Sequence, residues 1–143
     1  MQVREIMTSP AQVIDHNSTI KDLAEKMRSD DLGALPVCDG DRLLGMVTDR
    51  DIVTRAVAMD KPLKSASAKE VMSEKVAFVR EDDDIQAAER KMSEHRIRRL
   101  PVIDRNDKLV GMVTLADIAR KTGRHIENTA EEITKPGDQP RKM

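Results

Sequence analysis

Thr48 and Asp51 stand three residues apart in the stretch GMVTDRDI, residues 45–52. Thr114 and Asp117 stand at the same spacing in GMVTLADI, residues 111–118. A hydroxyl and a carboxylate one helical turn apart can grip a vicinal diol, such as the 2′ and 3′ hydroxyls of a ribose. The unpaired N–H groups of a helix beginning there would add an anion site able to help hold a phosphate. The same spacing is also close to a capping box, in which both side chains satisfy backbone N–H groups at a helix start and the acid faces the positive end of the helix dipole. A cap alone does not require the same Gly-Met-Val lead-in in both places, and that recurrence favours a pair of binding sites.

The elements that must position these residues come in two copies, as a search for internal repeats reveals. Glu5-Ile6-Met7 corresponds to Glu70-Val71-Met72, Lys26-Met27 to Lys91-Met92, and Leu35-Pro36-Val37 to Leu100-Pro101-Val102. In each copy a short β-type run opens the unit, residues 11–14 and 76–79. A helix follows: Ile20, Leu23, Ala24 and Met27 form one apolar stripe behind Ser18-Thr19 as cap, while the second stripe keeps Ile85, Ala88 and Met92 but places Glu89 in one slot. Two strands come next, residues 34–37 and 43–47, with counterparts at 99–103 and 109–113; the first pair is joined by an Asp-Gly turn. Each copy ends in a second helix starting after Thr48 or Thr114, and Gly123 is the expected stop of the last one. The order is β-α-β-β-α, twice. Residues 1–60 form the first copy, 61–67 a linker with Pro62, 68–123 the second copy, and 124–143 a polar tail expected to be mobile.

Composition narrows the function. Lys and Arg total 25 against 26 Asp and Glu, so no bulk field attracts nucleic acid or an acidic membrane. Phe78 is the single aromatic residue, which argues against the stacking platforms of single-strand binders. No stretch approaches the roughly 20 apolar residues that cross a bilayer. The lone Cys38 fits a reducing, cytoplasmic setting. His16, His95 and His125 show no metal-ligand spacing, and no P-loop, nucleophile elbow or G-x-G-x-x-G occurs, so neither a metal site nor an enzyme is expected. The nine methionines read as core filler, and Asp82-Asp83-Asp84 as acids placed before a helix.

The motif LPV before the turn and GMVTxxDI after it, present twice in order, strongly resembles the CBS motif, named after cystathionine β-synthase. Two in tandem look like a CBS pair, or Bateman module, here covering about residues 3–122. The resemblance implies an α/β (α+β type) fold with two motifs related by a pseudo-twofold axis and ligand clefts between them. It further implies a stand-alone regulatory protein in the style of small bacterial stress-response members, assembled as a homodimer and acting on an unknown protein target. By the same resemblance, Thr48 with Asp51 and Thr114 with Asp117 hold the ribose of AMP, ADP, ATP or S-adenosylmethionine. The adenine would lie against the start of the other motif, pairing Thr114 and Asp117 with Thr8 and Val13, and Thr48 and Asp51 with Ser73 and Phe78. In HRIRRLPV, Arg98 and Arg99 resemble the family's phosphate-binding lead-in, for which Arg suits bidentate contact; the other reading is an arginine-protected strand edge. Arg50 is a third phosphate candidate. The first copy has Gly33-Ala34 where the second has Arg98-Arg99, and Arg50 where the second has Ala116, so the two sites are expected to treat phosphate differently. The competing functions are a structural dimerisation protein with empty clefts and, behind it, a nucleic-acid-binding protein.

Overall fold

The computed structural model describes residues 1–123; the tail expected over 124–143 lies outside the described residues. Two three-stranded sheets and four helices make an α/β protein. The elements are β1 (Ile14–Asp15), α1 (Ile20–Ser29), β2 (Ala34–Asp39), β3 (Arg42–Thr48), α2 (Asp49–Asp51), β4 (Val79–Arg80), α3 (Ile85–His95), β5 (Arg99–Ile103), β6 (Leu109–Thr114) and α4 (Leu115–Thr122). The sheets run β1-β2-β3 and β4-β5-β6, the first pair of strands parallel and the second antiparallel in each. The opening strands begin later than their β-type residues suggest. Ile14 and Asp15 pair with Val37 and Cys38, and Val79 and Arg80 with Val102 and Ile103, so pairing partners rather than side-chain type set the strand limits.

The chain divides into two compact units whose boundaries differ from those of the sequence repeat. One, the continuous unit, is Gln12–Val76; the other, the split unit, joins Met1–Ala11 to the chain from Ala77 onward. Each unit therefore takes its lead-in from the other copy of the repeat. In the split unit Val3 and Ile6 enter a core made by Val79, Ile85, Ala88, Met92, Leu100, Val102, Val113, Leu115 and Ile118. In the continuous unit Ala66, Ala68 and Val71 fill the corresponding place among Ile14, Ile20, Leu23, Met27, Leu35, Val37, Val47 and Ala56.

The same backbone bonds seat both lead-ins. Val3 N–H donates to Asp83 O at 2.8 Å and Ile85 N–H to Met1 O at 3.1 Å; Ala68 N–H donates to Ser18 O at 2.8 Å and Ile20 N–H to Ala66 O at 2.9 Å. The linker expected around Pro62 is thus bonded into the continuous unit, with Lys21 N–H also donating to Leu63 O. Thr19 caps α1, accepting from Asp22 N–H in a capping box.

Farther along, each lead-in crosses the last strand of its sheet. Pro36 and Pro101 cannot donate to the ladder, and each lies opposite a methionine, Met46 or Met112. Those methionines turn their own N–H and C=O groups to the lead-in: Met46 exchanges two backbone hydrogen bonds with Ser73 (2.8 and 3.0 Å), and Met112 does the same with Thr8 (2.8 and 3.0 Å). The crossing is close because the strand neighbours are glycines. A methyl group on Gly111 would lie 2.7 Å from both Thr8 O and Met7 Sδ, and one on Gly45 would collide with Ser73 O. Gly111→Ala and Gly45→Ala should each cost about 1–3 kcal/mol through overpacking. Urea denaturation checks the loss, and faster hydrogen exchange at Thr8 and Met112, or Ser73 and Met46, locates it. Unchanged exchange at those amides would show that the crossing tolerates a side chain.

Candidate functional site

In the split unit, β6 runs into α4 through Thr114, the N-cap. Thr114 Oγ1 accepts from Asp117 N–H at 3.0 Å and Asp117 Oδ2 accepts from Thr114 N–H at 3.0 Å. The other carboxylate oxygen, Oδ1, accepts from Arg120 Nη2 at 2.6 Å. Asp117 is buried, whereas the Arg120 side chain is 63% exposed, so the ion pair closes the site from the solvent side. Arg99 pairs with Thr114 across the β5–β6 ladder, and Leu115 N–H donates to Arg98 O at 2.9 Å. Both arginines thus stand beside the Thr–Asp pair; Arg98 is exposed and Arg99 half-buried. Thr8, exposed, is brought to the far side of β6 by its exchange with Met112.

The continuous unit repeats the backbone with different side chains. Thr48 caps α2, accepting from Asp51 N–H at 3.1 Å, and Asp51 Oδ2 accepts from Thr48 N–H at 2.8 Å. Ala34 pairs with Thr48, and Asp49 N–H donates to Gly33 O at 3.0 Å. Ser73 is placed by its exchange with Met46, as Thr8 is by Met112. Arg50 is exposed in the first turn, and its N–H donates to Asp49 Oδ1 at 2.8 Å. The N–H groups of Asp49, Arg50 and Asp51 are therefore all engaged, and the expected anion site from free helix-start N–H groups does not exist in this unit. Any phosphate there must be held by side chains.

After Asp51 the helix widens into a π-type stretch, Ile52–Val57. The β-branched run Ile52-Val53-Thr54 crowds its backbone, and Thr54 Oγ1 bonds back to Arg50 O at 2.9 Å. The stretch carries Arg55, whose Nε lies 3.8 Å from Asp51 Oδ1 and whose Nη1 donates to Val71 O (3.3 Å) and Met72 O (3.0 Å). Arg55 ties the helix to the lead-in that carries Ser73, and it holds the carboxylate more loosely than Arg120 does.

Sequence reasoning overlooked Arg120 and Arg55. Their spacing from the aspartates, three and four residues, is that of helical ion pairs and was the available signal. The two apolar adenine candidates fall differently from the polar ones. Val13, half-buried, belongs to the unit of Thr48, and Phe78 to the unit of Thr114. Phe78 has Lys91 Nζ 4.9 Å and Arg80 5.8 Å from its ring centre, and Lys91 also donates to Phe78 O at 2.6 Å.

The CBS domain model matches residues 3–58 and again 68–123. This chain belongs to the CBS domain family. Its relatives include hypoxic response protein 1 of Mycobacterium tuberculosis, 42% identical over 123 residues and covering 85% of each chain. A crystal structure of hypoxic response protein I with two coordinated zinc ions is similar at TM-score 0.77 and 41% identity, covering 85% of this chain and 98% of that one. The CBS domain pair of MJ0100, solved with 5′-methylthioadenosine and S-adenosylmethionine, is similar at TM-score 0.70 and 30% identity, covering 86% of this chain and 96% of that one. CBSX2 in complex with AMP is similar at TM-score 0.72 and 26% identity, over 83% and 93%.

Among the described residues of this CBS protein, no group of three or more His, Cys, Asp or Glu side chains is arranged to hold a metal. His16 Nε2 lies 3.6 Å from Asp39 Oδ1, and His125 falls outside the described residues. Cys38 is buried, and burial, with Asp41 and Asp15 nearby, pushes its thiol up to about 11. No described helix is long and apolar enough to cross a membrane.

The capping box and the candidate grip use the same carboxylate, and substitution can separate them. Asp117→Ala should cost about 1–2 kcal/mol of stability through the lost cap. Asp117→Asn keeps an oxygen for Thr114 N–H and should lose clearly less. Urea denaturation of the two variants decides; equal losses would mean that the cap is not what Asp117 gives to the fold.

Proposed function

We propose that the chain is a non-catalytic regulatory module that binds an adenosyl ligand at its two Thr–Asp sites and alters a protein partner through a change of shape. The observation that supports this reading is a repeated arrangement: in each unit a capped Thr–Asp pair follows a strand whose methionine, two residues before the threonine, bonds through its backbone to a hydroxyl residue of the lead-in. Thr48, Asp51 and Ser73 meet the requirement in one unit, and Thr114, Asp117 and Thr8 in the other. The cap does not exhaust these groups: each threonine hydroxyl keeps its own proton to donate, and each aspartate keeps Oδ1 outside the box. AMP, ADP, ATP and S-adenosylmethionine are the candidate ligands, in line with the AMP and the S-adenosylmethionine held by two similar proteins. Arg98 and Arg99 in one unit, and Arg50 in the other, are the proposed phosphate contacts. Val13 and Phe78 remain the proposed adenine neighbours, and the name of the mycobacterial relative favours a role in stress.

Thermal melts with each ligand test the reading on the wild type, Asp51→Ala and Asp117→Ala, each compared with its own ligand-free melt. A ligand at about 100 times its dissociation constant adds about 2.7 kcal/mol to the native state, and either substitution should remove part of that gain. A wild type that no ligand stabilises would favour a structural protein with empty sites. A gain that survives both substitutions would move the binding elsewhere.

We further propose a cytoplasmic homodimer that pairs through residues 53–63. Val53, Val57, Met59 and Leu63 expose 58, 54, 68 and 37% of their surface there, and among the described residues Met1 is the one other exposed large apolar side chain. Val57→Glu places a charge on this face without touching the core and should convert a dimer to a monomer in light scattering. A dimer that persists would place the interface elsewhere.

A further inference from the structure

The two aspartates that would hold ribose are not equally available. Asp117 Oδ1, the oxygen left over from the capping box, is in a 2.6 Å charge-assisted bond with Arg120. Asp51 Oδ1 has only a 3.8 Å approach from Arg55, whose guanidinium is committed to the carbonyls of Val71 and Met72. A diol reaching for Asp117 must displace a cation, whereas one reaching for Asp51 need not.

What the displaced cation does next depends on the ligand. Arg120 sits on the last turns of α4 with 63% of its side chain exposed, so it is free to swing once released. A neutral nucleoside breaks the ion pair and offers the guanidinium nothing but water. A nucleoside carrying a phosphate offers it a second anionic partner, for which the planar guanidinium is well suited. We propose that Arg120 is a specificity-determining residue of the split unit: it latches the ribose-binding oxygen of Asp117 and so admits anionic adenosyl ligands in preference to neutral ones. The continuous unit has no such latch and should discriminate less. This inference rests on the adenosyl-binding reading of the same site.

The test is calorimetric titration of AMP and of adenosine into the full chain. Asp51→Ala isolates the split unit, and Asp117→Ala isolates the continuous one. In the Asp51→Ala background, Arg120→Gln should tighten adenosine and weaken AMP, together narrowing the preference for AMP by about five-fold, the scale of an ion pair with one exposed partner. Arg120→Lys, which keeps the charge, should retain part of the preference. In the Asp117→Ala background, Arg120→Gln should leave the AMP-to-adenosine ratio unchanged. A ratio that does not move in the Asp51→Ala background overturns the latch, as does equal tightening of both ligands, which would make Arg120 a mere obstacle. A ratio that moves in the Asp117→Ala background also overturns it, because the effect would then not run through Asp117. If neither background binds AMP or adenosine, the latch falls, and the adenosyl reading falls with it if ADP, ATP and S-adenosylmethionine fail as well; binding that ignores Arg120 removes the latch alone.

Discussion

Two pairs of backbone hydrogen bonds, Thr8 with Met112 and Ser73 with Met46, hold each lead-in across the last strand of a sheet, and the site in each unit depends on that crossing. The crossing has three requirements, each met by a residue type. The methionine N–H and C=O groups must face away from the neighbouring strand, as their bonds to Ser73 and Thr8 require, and the proline opposite, having no N–H, leaves the methionine C=O without a donor on that side. The neighbouring position must have no side chain, which Gly45 and Gly111 satisfy. The lead-in itself must be anchored upstream, and Val3 and Ile6, or Ala66, Ala68 and Val71, do this by entering the core.

The same economy holds at the helix starts. Each Thr–Asp pair is at once a cap and a candidate ligand grip, and the two uses divide one carboxylate between its oxygens. Oδ2 closes the box with the threonine N–H, which fixes the carboxylate plane. Oδ1 is thereby pointed outside the box, where it meets an arginine. A ligand therefore encounters a carboxylate that is already oriented, at no further cost in side-chain entropy. Cap and grip are therefore not exclusive, since the cap organises the group that a diol would use.

Much of this was legible in the residues. The duplicated LPV and GMVT stretches gave the strand order and both sheets, because proline, glycine and β-branched residues constrain backbone locally. The apolar stripes of α1 and α3 and the Thr19 cap were visible for the same reason. The exchange of lead-ins was not: Val3 and Val71 look alike as apolar residues before a strand, and nothing local says which copy's core each will enter. The π-type stretch after Asp51 was hidden too, because its residues read as an ordinary helix and its Arg55 bonds to carbonyls sixteen and seventeen residues away. Arg55 and Arg120 escaped notice because a helical ion pair is so common a surface feature that spacing alone did not mark these two as partners of the site.

The exchange also limits how the two sites can diverge. Each copy of the repeat supplies a piece of the other's core, so backbone changes in either copy are felt in both units. The prolines Pro36 and Pro101, the glycines Gly45 and Gly111, and the backbone bonds of the two crossings are correspondingly the same in the two units. The freedom that remains is in side chains facing the site, and there the units part company. Gly33-Ala34 stands against Arg98-Arg99, Asp49-Arg50 against Leu115-Ala116, and an Arg55 tied to backbone carbonyls against an Arg120 paired with Asp117. The changes differ in charge: one unit has acids at its helix start and ties Arg55 to backbone carbonyls, while the other pairs its buried Asp117 with Arg120 and carries Arg98 and Arg99 on the strand beside Thr114. If both sites bind, a shared backbone with different charges around it would let them take ligands of one class and still tell them apart.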